Sequence, residues 1–170
     1  MPATRQDLFD HLESLGIETT THEHPPVFTV AESEALHDQI PGGHTKNLFL
    51  KDAKGRLFLI IAEAHAEVAM KTLHKTIGCA RLSFGKPDLL MEKLGVAAGS
   101  VTAFAAINDP SGDVTVRIDQ TLLDHDIINC HPLQNTATTA IARDDLLRFL
   151  ESTGHPAEPI DLAAPPPAAD

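Results

Sequence analysis

Hydrophobic residues follow a helical period at the start of the chain and a strand-like pattern soon after it. Between Thr4 and Gly16, leucines recur three and four residues apart, which predicts an amphipathic helix capped by the threonine. Residues 17–25 are rich in threonine and stop at a proline pair, as a strand would. Thr29, with a glutamate three residues later, forms a capping box that begins a short helix over about 30–38.

A hairpin is predicted in the middle of the chain. Apolar strands are expected at 45–51 and 56–62, joined by a tight turn at Lys54-Gly55. The elements expected after it are a helix at 65–76, an extended segment at 80–84, a helix from Pro87 to just before Gly95, β-rich segments at 99–107, 113–119, 126–130 and 135–141, and a helix at 144–150. Because strands and helices are interspersed without a regular βαβ repeat, we expect an α+β fold with a mixed, mostly antiparallel central sheet flanked by helices.

Length and composition favour one domain followed by a short tail. With 170 residues, 42% of them hydrophobic, the chain can fill a single core of ordinary size. We place this domain at residues 1–154, because 155–170 are rich in proline and alanine and are predicted to be disordered. No apolar run approaches the roughly 20 residues that span a bilayer, and the N-terminus lacks the basic segment of a signal peptide, so we expect a cytoplasmic protein.

Charge is unevenly distributed along an acidic chain. The net charge of -11 argues against non-specific binding to DNA or other polyanions, because such affinity grows with the number of phosphates neutralised. Between His44 and Lys93, however, nine basic residues stand against five acidic ones, which gives this segment a charge of +4. Such a mixture is common on a solvated surface, and it also suits a protein that contacts one end of an RNA.

Cysteine and histidine spacing gives no sign of a metal centre. Cys79 and Cys130 lack C-x-x-C spacing and are expected to be buried thiols. The HEH sequence at 22–24 could place two imidazoles on one strand face, but no third ligand is evident, so we expect no metal and no cofactor. The chain has no G-x-S-x-G, P-loop or G-x-G-x-x-G motif. An enzyme built on this chain would not use a standard nucleophile.

Alternation along the first hairpin strand places a lysine on an apolar face. His44, Lys46, Leu48 and Leu50 share one side of the strand. The ammonium of Lys46 could extend to water, as most such lysines do. If this face instead lines a cleft, a desolvated ammonium there would bind a phosphate or carboxylate through a charge-assisted hydrogen bond.

Two later segments could also contribute chemistry. In LGVAAGSVTAF (94–104), glycines bracket small residues, so a ligand could approach backbone N–H groups closely, although a helix cap followed by a turn explains the glycines equally well. In NCHPLQNTAT (129–138), His131 precedes a proline, which favours extended geometry and fixes where the imidazole points. Asn135 lies four residues further on. A lone histidine is more often structural.

Taken together, these three segments resemble one protein family. TKNLFLKD, LGVAAGSVT and HPLQNTAT, in this order and within residues 5–152, are similar to the freestanding prolyl-tRNA-editing domains, which are homologous to the insertion domain of bacterial prolyl-tRNA synthetase. The KNLFLKD sequence is closer to the alanyl-tRNA(Pro) deacylase branch than to the cysteinyl-tRNA(Pro) deacylases. The resemblance implies the partly barrel-like editing-domain fold and metal-independent hydrolysis of the ester of mischarged Ala-tRNA(Pro).

The resemblance also implies roles for individual residues. Lys46 matches the signature lysine near the terminal adenosine and its phosphate, Gly99 begins the family's G-x-x-x-P loop, and His131 is expected near the scissile ester. We treat these three residues as catalytic. The expected substrate-binding residues are Asn47, Ser100, Val101, Thr102 and Asn135. The chain departs from the motif at Ala103, where the family has proline, so this exchange bears on loop rigidity and pocket shape.

The implied partners are aminoacyl-tRNA, through its CCA end and acceptor stem, and prolyl-tRNA synthetase; no membrane or DNA partner is expected. The helix at 30–38, which is followed by a flexible segment at Gly42-Gly43, is expected to be a movable lid that narrows the alanine pocket.

Three alternatives stay open: the same chemistry on Cys-tRNA(Pro) or another small aminoacyl-tRNA, a non-catalytic binder of aminoacyl or nucleotide ligands, and a metal hydrolase that uses the histidines.

Overall fold

A computed structural model describes residues 2–26 and 30–162 of the chain. Its helices are α1 (Arg5–Ser14), α2 (Val30–Gln39), α3 (Leu73–Ile77), α4 (Pro87–Leu94) and α5 (Arg143–Ser152). Its strands are β1 (Thr19–Glu23), β2 (Gly43–Asp52), β3 (Leu57–Glu63), β4 (Leu82–Phe84), β5 (Val114–Asp119), β6 (Ile127–Cys130), β7 (Ala137–Ala142) and β8 (Glu158–Ile160). Thr29, the predicted start of a capping box, lies outside the described residues. Within the described ranges, no helix is long and apolar enough to cross a membrane.

The strands form one mixed, eight-stranded sheet. Its order is β1-β7-β6-β2-β3-β5-β8, and β4 pairs with β2. Four strand pairings are antiparallel, and three are parallel: β2 with β6, β3 with β5, and β5 with β8. The predicted α+β class with a mixed, mostly antiparallel sheet is therefore confirmed.

β2 and β3 form the predicted hairpin. Lys46 lies opposite Ala62 in an antiparallel register. At the turn, the carboxylate of Asp52 accepts a hydrogen bond from the backbone N–H of Arg56 at 2.8 Å. Gly55 has a φ of +87°, a conformation that glycine adopts without the strain a side chain would add. Local turn chemistry thus sets the register that places Lys46.

The two faces of the sheet pack against two separate hydrophobic clusters. Phe49 of β2 belongs to the larger cluster, where Phe104 and Phe149 are fully buried with ring centroids 5.3 Å apart. Leu50 belongs to the smaller cluster on the opposite face. The predicted alternation along β2 is therefore confirmed, and it places Lys46 on the same face as Leu50.

The predicted helix at 65–76 is mostly wrong. Helical structure is limited to Leu73–Ile77, and turns precede it. In these turns, the carbonyl of Ala66 accepts a hydrogen bond from the Lys46 ammonium, and the N–H of Ala66 donates to the carbonyl of Glu63 at 2.9 Å. These contacts, with backbone and with a distant side chain, override the helical propensity of the alanines.

The β-rich prediction at 99–107 is also wrong. The segment forms two 3-10 helices, Ala98–Ser100 and Ala103–Asn108. The Thr102 hydroxyl caps the second one by accepting a hydrogen bond from the N–H of Phe104 at 3.3 Å. The alanines after Thr102 are fully buried in the larger cluster. Close packing of small side chains favours this tight helix over the extended form that valine and threonine prefer.

The chain stays folded beyond the predicted domain boundary at residue 154. β8 pairs in parallel with β5, and Ile160 is buried. His155 is also buried, with Nε2 at 2.8 Å from Oδ2 of Asp109 and Nδ1 at 2.9 Å from Oγ1 of Thr153. These contacts extend the domain to residue 162 and correct the first part of the predicted disordered tail. Residues 163–170 lie outside the described part of the chain.

Replacing His155 with alanine should lower the free energy of unfolding by about 3 kcal/mol, because the buried carboxylate of Asp109 loses a hydrogen-bonded partner. Urea denaturation followed by circular dichroism measures the change. The exposed His22, replaced by alanine, is the matched control. A loss of about 0.5 kcal/mol or less, the scale of a surface substitution, would contradict this placement of the segment after residue 154.

Candidate active site

Three segments that are distant in sequence meet around the junction of β2 and β6. The two strands pair in parallel with His44 opposite Asn129, and the Thr45 hydroxyl donates to the carbonyl of Asn129 at 2.8 Å. The Thr102 hydroxyl donates to the carbonyl of His131, directly after β6, at 2.7 Å. The fold therefore brings together the lysine strand, the glycine segment and the histidine loop.

A cavity of about 190 Å³ lies between α2 and the sheet. Its lining residues are Ser33, Leu36 and His37 of α2, His44 and Thr45 of β2, Asn129 and Cys130 of β6, His131, and Thr138 of β7. Of the three predicted catalytic residues, His131 belongs to this lining, whereas Lys46 and Gly99 do not, within the ranges that the structure describes. Helix α2 forms one wall, the position that the predicted lid requires.

The ammonium of Lys46 is anchored to the backbone, on a strand that helps to line this cavity. It donates a hydrogen bond to the backbone carbonyl of Ala66, in the turn after β3, and the residue is half-buried. Its chain neighbours His44 and Thr45 both line the cavity. An ammonium carries three N–H groups, so one contact to a carbonyl leaves it able to bind an anion as well.

Asn47 lies on the opposite face of β2 from Lys46. The residue is half-buried, and its Oδ1 is shielded from solvent with no hydrogen-bond partner among the described residues. A buried amide oxygen without a partner costs stability unless a water or ligand satisfies it. Because strand alternation separates the two side chains, support of Lys46 by Asn47 would act through the strand rather than through side-chain contact.

The imidazole of His131 has a defined tautomer. Its Nδ1 lies 3.0 Å from the carbonyl oxygen of Ala137. A carbonyl oxygen can only accept, so Nδ1 carries the proton and Nε2 of the neutral ring offers a lone pair. Burial, more than the neighbouring His24, lowers the pKa of His131, although the Ala137 contact opposes this shift. The ring is therefore neutral at pH 7, with Nε2 as a hydrogen-bond acceptor.

The loop after His131 is strained. Leu133 has a φ of +68°, in the left-handed region, where a non-glycine residue costs about 1–2 kcal/mol. The carbonyl of His131 accepts hydrogen bonds from the Thr102 hydroxyl at 2.7 Å and from the Leu133 N–H at 3.0 Å. Thr102 is fully buried, so its hydroxyl positions this loop. Strain of this kind is common where a site is held in a fixed geometry.

The glycine segment forms a tight turn instead of an open loop. A Cβ at Gly99 would lie 3.6 Å from Nδ2 of Asn135, which is an ordinary contact, so packing against Asn135 does not require glycine here. The N–H of Ser100 donates to the carbonyl of Ala97 at 2.9 Å, which removes one donor from the predicted carbonyl-binding set. Val101 packs against the larger hydrophobic cluster. Gly99 and Asn135 are nevertheless adjacent, and their roles in the site stay predictions.

Ala103, the departure from the family motif, occupies the first position of the second 3-10 helix, directly after its cap Thr102. Proline is favoured at such a position, because the N–H that it lacks has no partner inside the helix. In this chain the Thr102 cap and the complete burial of Ala103 hold the turn without proline.

The exit from α2 is tightly packed, in contrast to the predicted flexible segment. The buried Asn129 donates from Nδ2 to the carbonyls of Pro41 and Gly43, each at 3.1 Å. Gly42 has a φ of +111°, and a Cβ there would lie 2.9 Å from the carbonyl oxygen of Ile127. The glycine is therefore required for close backbone approach, and any movement of α2 has to pivot at this end.

The cavity wall contains a thiol that is not a nucleophile. Cys130 is buried, as predicted, and burial raises its pKa to about 12. The thiol is therefore protonated and inert at neutral pH. Cys79 is only half-buried, and burial likewise raises its pKa.

Sequence reasoning missed a cluster of histidines at α2. The rings of His37 and His44 stack with centroids 4.1 Å apart, and the ring of His65 meets that of His37 edge to face at 5.7 Å. Nε2 of His44 lies 2.7 Å from the carbonyl oxygen of Ile40. Burial first, and the neighbouring His44 second, lower the pKa of His37. Because these histidines come from separate elements, no local spacing signals them.

His24 is a further residue that the predicted site did not include. Its Nδ1 lies 2.9 Å from the carbonyl oxygen of Pro25, and its Nε2 lies 2.8 Å from the hydroxyl of Thr138, which lines the cavity. Because the carbonyl oxygen only accepts, Nε2 of the neutral ring accepts from that hydroxyl. The HEH sequence at 22–24 was the signal in the sequence that could have pointed to His24. In the structure, this histidine forms a hydrogen bond at the cavity wall.

Comparison with known proteins places the chain in a family. The aminoacyl-tRNA editing domain matches residues 24–149. Prolyl-tRNA synthetase associated domain-containing protein 1 of Danio rerio is 43% identical over 153 residues, which cover 89% of this chain and 83% of that protein. The prolyl-tRNA editing protein ProX of Acetoanaerobium sticklandii is 34% identical over 159 residues, which cover 93% of this chain and 97% of that protein.

Solved structures share the fold. The crystal structure of a candidate trans-editing enzyme for prolyl tRNA synthetase matches with a TM-score of 0.69 and 19% identity, over 92% of this chain and 96% of that one. This likeness concerns the fold, whereas the sequence matches concern the family. The chain belongs to the aminoacyl-tRNA editing domain family and, within it, to the freestanding prolyl-tRNA-editing domains.

Proposed function

We propose that this protein is a cytoplasmic trans-editing deacylase that hydrolyses the ester of mischarged Ala-tRNA(Pro). The observation that carries the proposal is that the lysine strand and the His131 loop both line one small cavity, while the glycine segment is joined to that loop by the hydrogen bond from the Thr102 hydroxyl to the carbonyl of His131. Membership of the aminoacyl-tRNA editing family supports it, as do relatives whose names refer to prolyl-tRNA editing.

The need for a second site follows from the relative sizes of alanine and proline. A synthetase pocket built for proline cannot exclude the smaller alanine, and a missing group in an apolar pocket discriminates by only about 1–3 kcal/mol. A separate cavity must then admit alanine and remove it. The cavity of about 190 Å³ is several times the space that one water molecule needs, a scale that suits a small amino acid and an attacking water.

The proposed chemistry uses no nucleophilic side chain and no metal. The aminoacyl ester is prone to attack by water, so alignment of a water against the carbonyl supplies most of what is needed. Nε2 of His131 accepts a hydrogen bond from that water or from the 2'-hydroxyl of the terminal adenosine. Gly99 lets the aminoacyl carbonyl approach backbone N–H groups, which stabilise the developing oxyanion.

Lys46 is proposed to bind a phosphate of the CCA end. Its ammonium donates to the neutral carbonyl of Ala66 and has further N–H groups to donate. Asn47 supports the strand from the opposite face, and Asn135 contacts the substrate beside Gly99. Prolyl-tRNA synthetase is the expected source of the mischarged substrate.

Replacing Lys46 with alanine should reduce kcat/KM for release of alanine about 10- to 100-fold, because a hydrogen bond to a charged group contributes about 1.5–3 kcal/mol. Single-turnover deacylation of Ala-tRNA(Pro) measures the effect. Lys51→Ala, an exposed lysine on the same strand, is the control and should keep the wild-type rate. Undiminished deacylation by Lys46→Ala would refute the role of this lysine.

Gly99→Ala should leave the thermal unfolding midpoint unchanged, since the new methyl group meets Asn135 at an ordinary 3.6 Å. The same methyl group would occupy the space in which the aminoacyl carbonyl reaches the backbone. We expect deacylation to slow at least about tenfold, or about 1.4 kcal/mol in the barrier. A variant that is as active as the wild type would exclude close backbone approach at this position.

Deacylation should decline as the pH falls below about 6.5, because the neutral imidazole of His131 is the proposed acceptor. Burial lowers the pKa of this ring below its ordinary value, so the neutral form persists down to that pH. At each pH, the wild-type rate is divided by the rate of His131→Asn. This ratio removes the contribution that the intrinsic lability of the ester makes to both rates. The ratio should be level above about pH 7 and fall in acid. A ratio that rises on acidification would show that the imidazolium is the active form.

A further inference from the structure

A carboxylate and two imidazoles converge between α2 and the turn after β3. Glu34 and His37 lie three residues apart on α2, and His65 lies in the turn. One potential ligand atom from each of the three lies within 4.8 Å of the other two. Oε1 of Glu34 is 3.3 Å from Nδ1 of His65, and both side chains are about half exposed, at 47% and 58%. The cluster is therefore open to solvent and to ions.

The turn that carries His65 is fixed to the sheet. The N–H of His65 donates to Oε2 of Glu63 at 2.9 Å, and the N–H of Ala64 donates to the carbonyl of His44 at 2.8 Å. The next carbonyl, that of Ala66, accepts the hydrogen bond from Lys46. One ligand thus stands on a rigid support, whereas the other two stand on the helix that covers the cavity.

The donor set and spacing suit a transition metal. Zinc binds imidazole nitrogen and carboxylate oxygen at about 2.0–2.2 Å, so two ligands of one tetrahedral ion lie roughly 3.3 Å apart. The Glu34–His65 separation already has this value, and a ligand atom of His37 lies within 4.8 Å of both. Two imidazoles select against Mg²⁺ and Ca²⁺, which prefer oxygen ligands. Three protein ligands leave a fourth position to water.

We propose that Glu34, His37 and His65 form a binding site for a divalent first-row transition metal of the zinc class, which ties α2 to the turn after β3. His37 also lines the cavity, so a bound ion would hold this wall in place. The ion is distinct from the proposed chemistry and takes no part in it. Its effect on deacylation rests on the proposed function, whereas its binding does not.

Binding is tested with the full chain, free of any affinity tag, by titration with Co²⁺ and by competition of Zn²⁺ against a chromophoric chelator. We expect one ion per chain and visible absorption bands typical of tetrahedral Co²⁺. Glu34→Gln and His65→Ala should each weaken binding at least about tenfold. His22→Ala removes an exposed histidine elsewhere and should bind as the wild type does.

Two outcomes would overturn the site. One is the absence of binding up to about 1 mM metal, at the weak end of specific affinity; the other is equal binding by His65→Ala and the wild type. Either would leave Glu34 and His65 as a simple contact between two side chains. Neither would bear on deacylation by the metal-free protein, so failure of this site is distinct from failure of the proposed function.

The link between α2 and the turn is tested separately by hydrogen exchange. Zn²⁺ should slow exchange of the amides in 30–39 in the wild type and leave it unchanged in His65→Ala. Zn²⁺ should also slow deacylation by the wild type, over the same range of metal concentration that slows exchange. The reason is that the bound ion holds the cavity wall in place. Unaltered exchange in α2 at saturating Zn²⁺ would overturn the proposed tie.

Discussion

The parallel pairing of β2 with β6 is the constraint on which the proposed site depends. It joins the β1-β7-β6 part of the sheet to the part that contains β2, β3, β5 and β8, and it covers only two residue pairs. Side chains reinforce this short junction: the hydroxyl of Thr45 donates to the carbonyl of Asn129, and the amide of Asn129 donates to the carbonyl of Gly43. Without it, the strand of Lys46 and the loop of His131 would lie in separate halves of the sheet.

Backbone carbonyls, rather than carboxylates, hold the side chains of the site. The ammonium of Lys46 donates to Ala66, and the imidazole of His131 contacts Ala137. A neutral carbonyl orients an ammonium without cancelling its charge, and it fixes one imidazole tautomer without favouring the imidazolium as strongly as a carboxylate would. In the proposed mechanism, this arrangement keeps a cation available for phosphate and a neutral acceptor available for water. The buried hydroxyl of Thr102 links the glycine segment to the histidine loop.

Sequence reasoning succeeded where local interactions decide the structure. The caps of α1 and α4 and the turn at Gly55 are encoded within a few residues. It failed at 65–76 and 99–107, where long-range hydrogen bonds and the packing of small side chains override propensity. For the site, resemblance named Lys46, Gly99 and His131, whose roles stay predictions, and alternation gave the correct face of β2. The histidine cluster at α2 could not be found, because its members meet only in the folded chain.

The central claim is that one small cavity removes alanine from a tRNA meant for proline, and side-by-side deacylation of Ala-tRNA(Pro), Cys-tRNA(Pro), Ala-tRNA(Ala) and Pro-tRNA(Pro) tests it most directly. The account predicts rapid release of alanine from Ala-tRNA(Pro). Release of the amino acid from Cys-tRNA(Pro) and from Ala-tRNA(Ala) should be slower, and Pro-tRNA(Pro) should stay intact. Binding of Ala-tRNA(Pro) without turnover, or hydrolysis of Pro-tRNA(Pro) at the same rate, would contradict it.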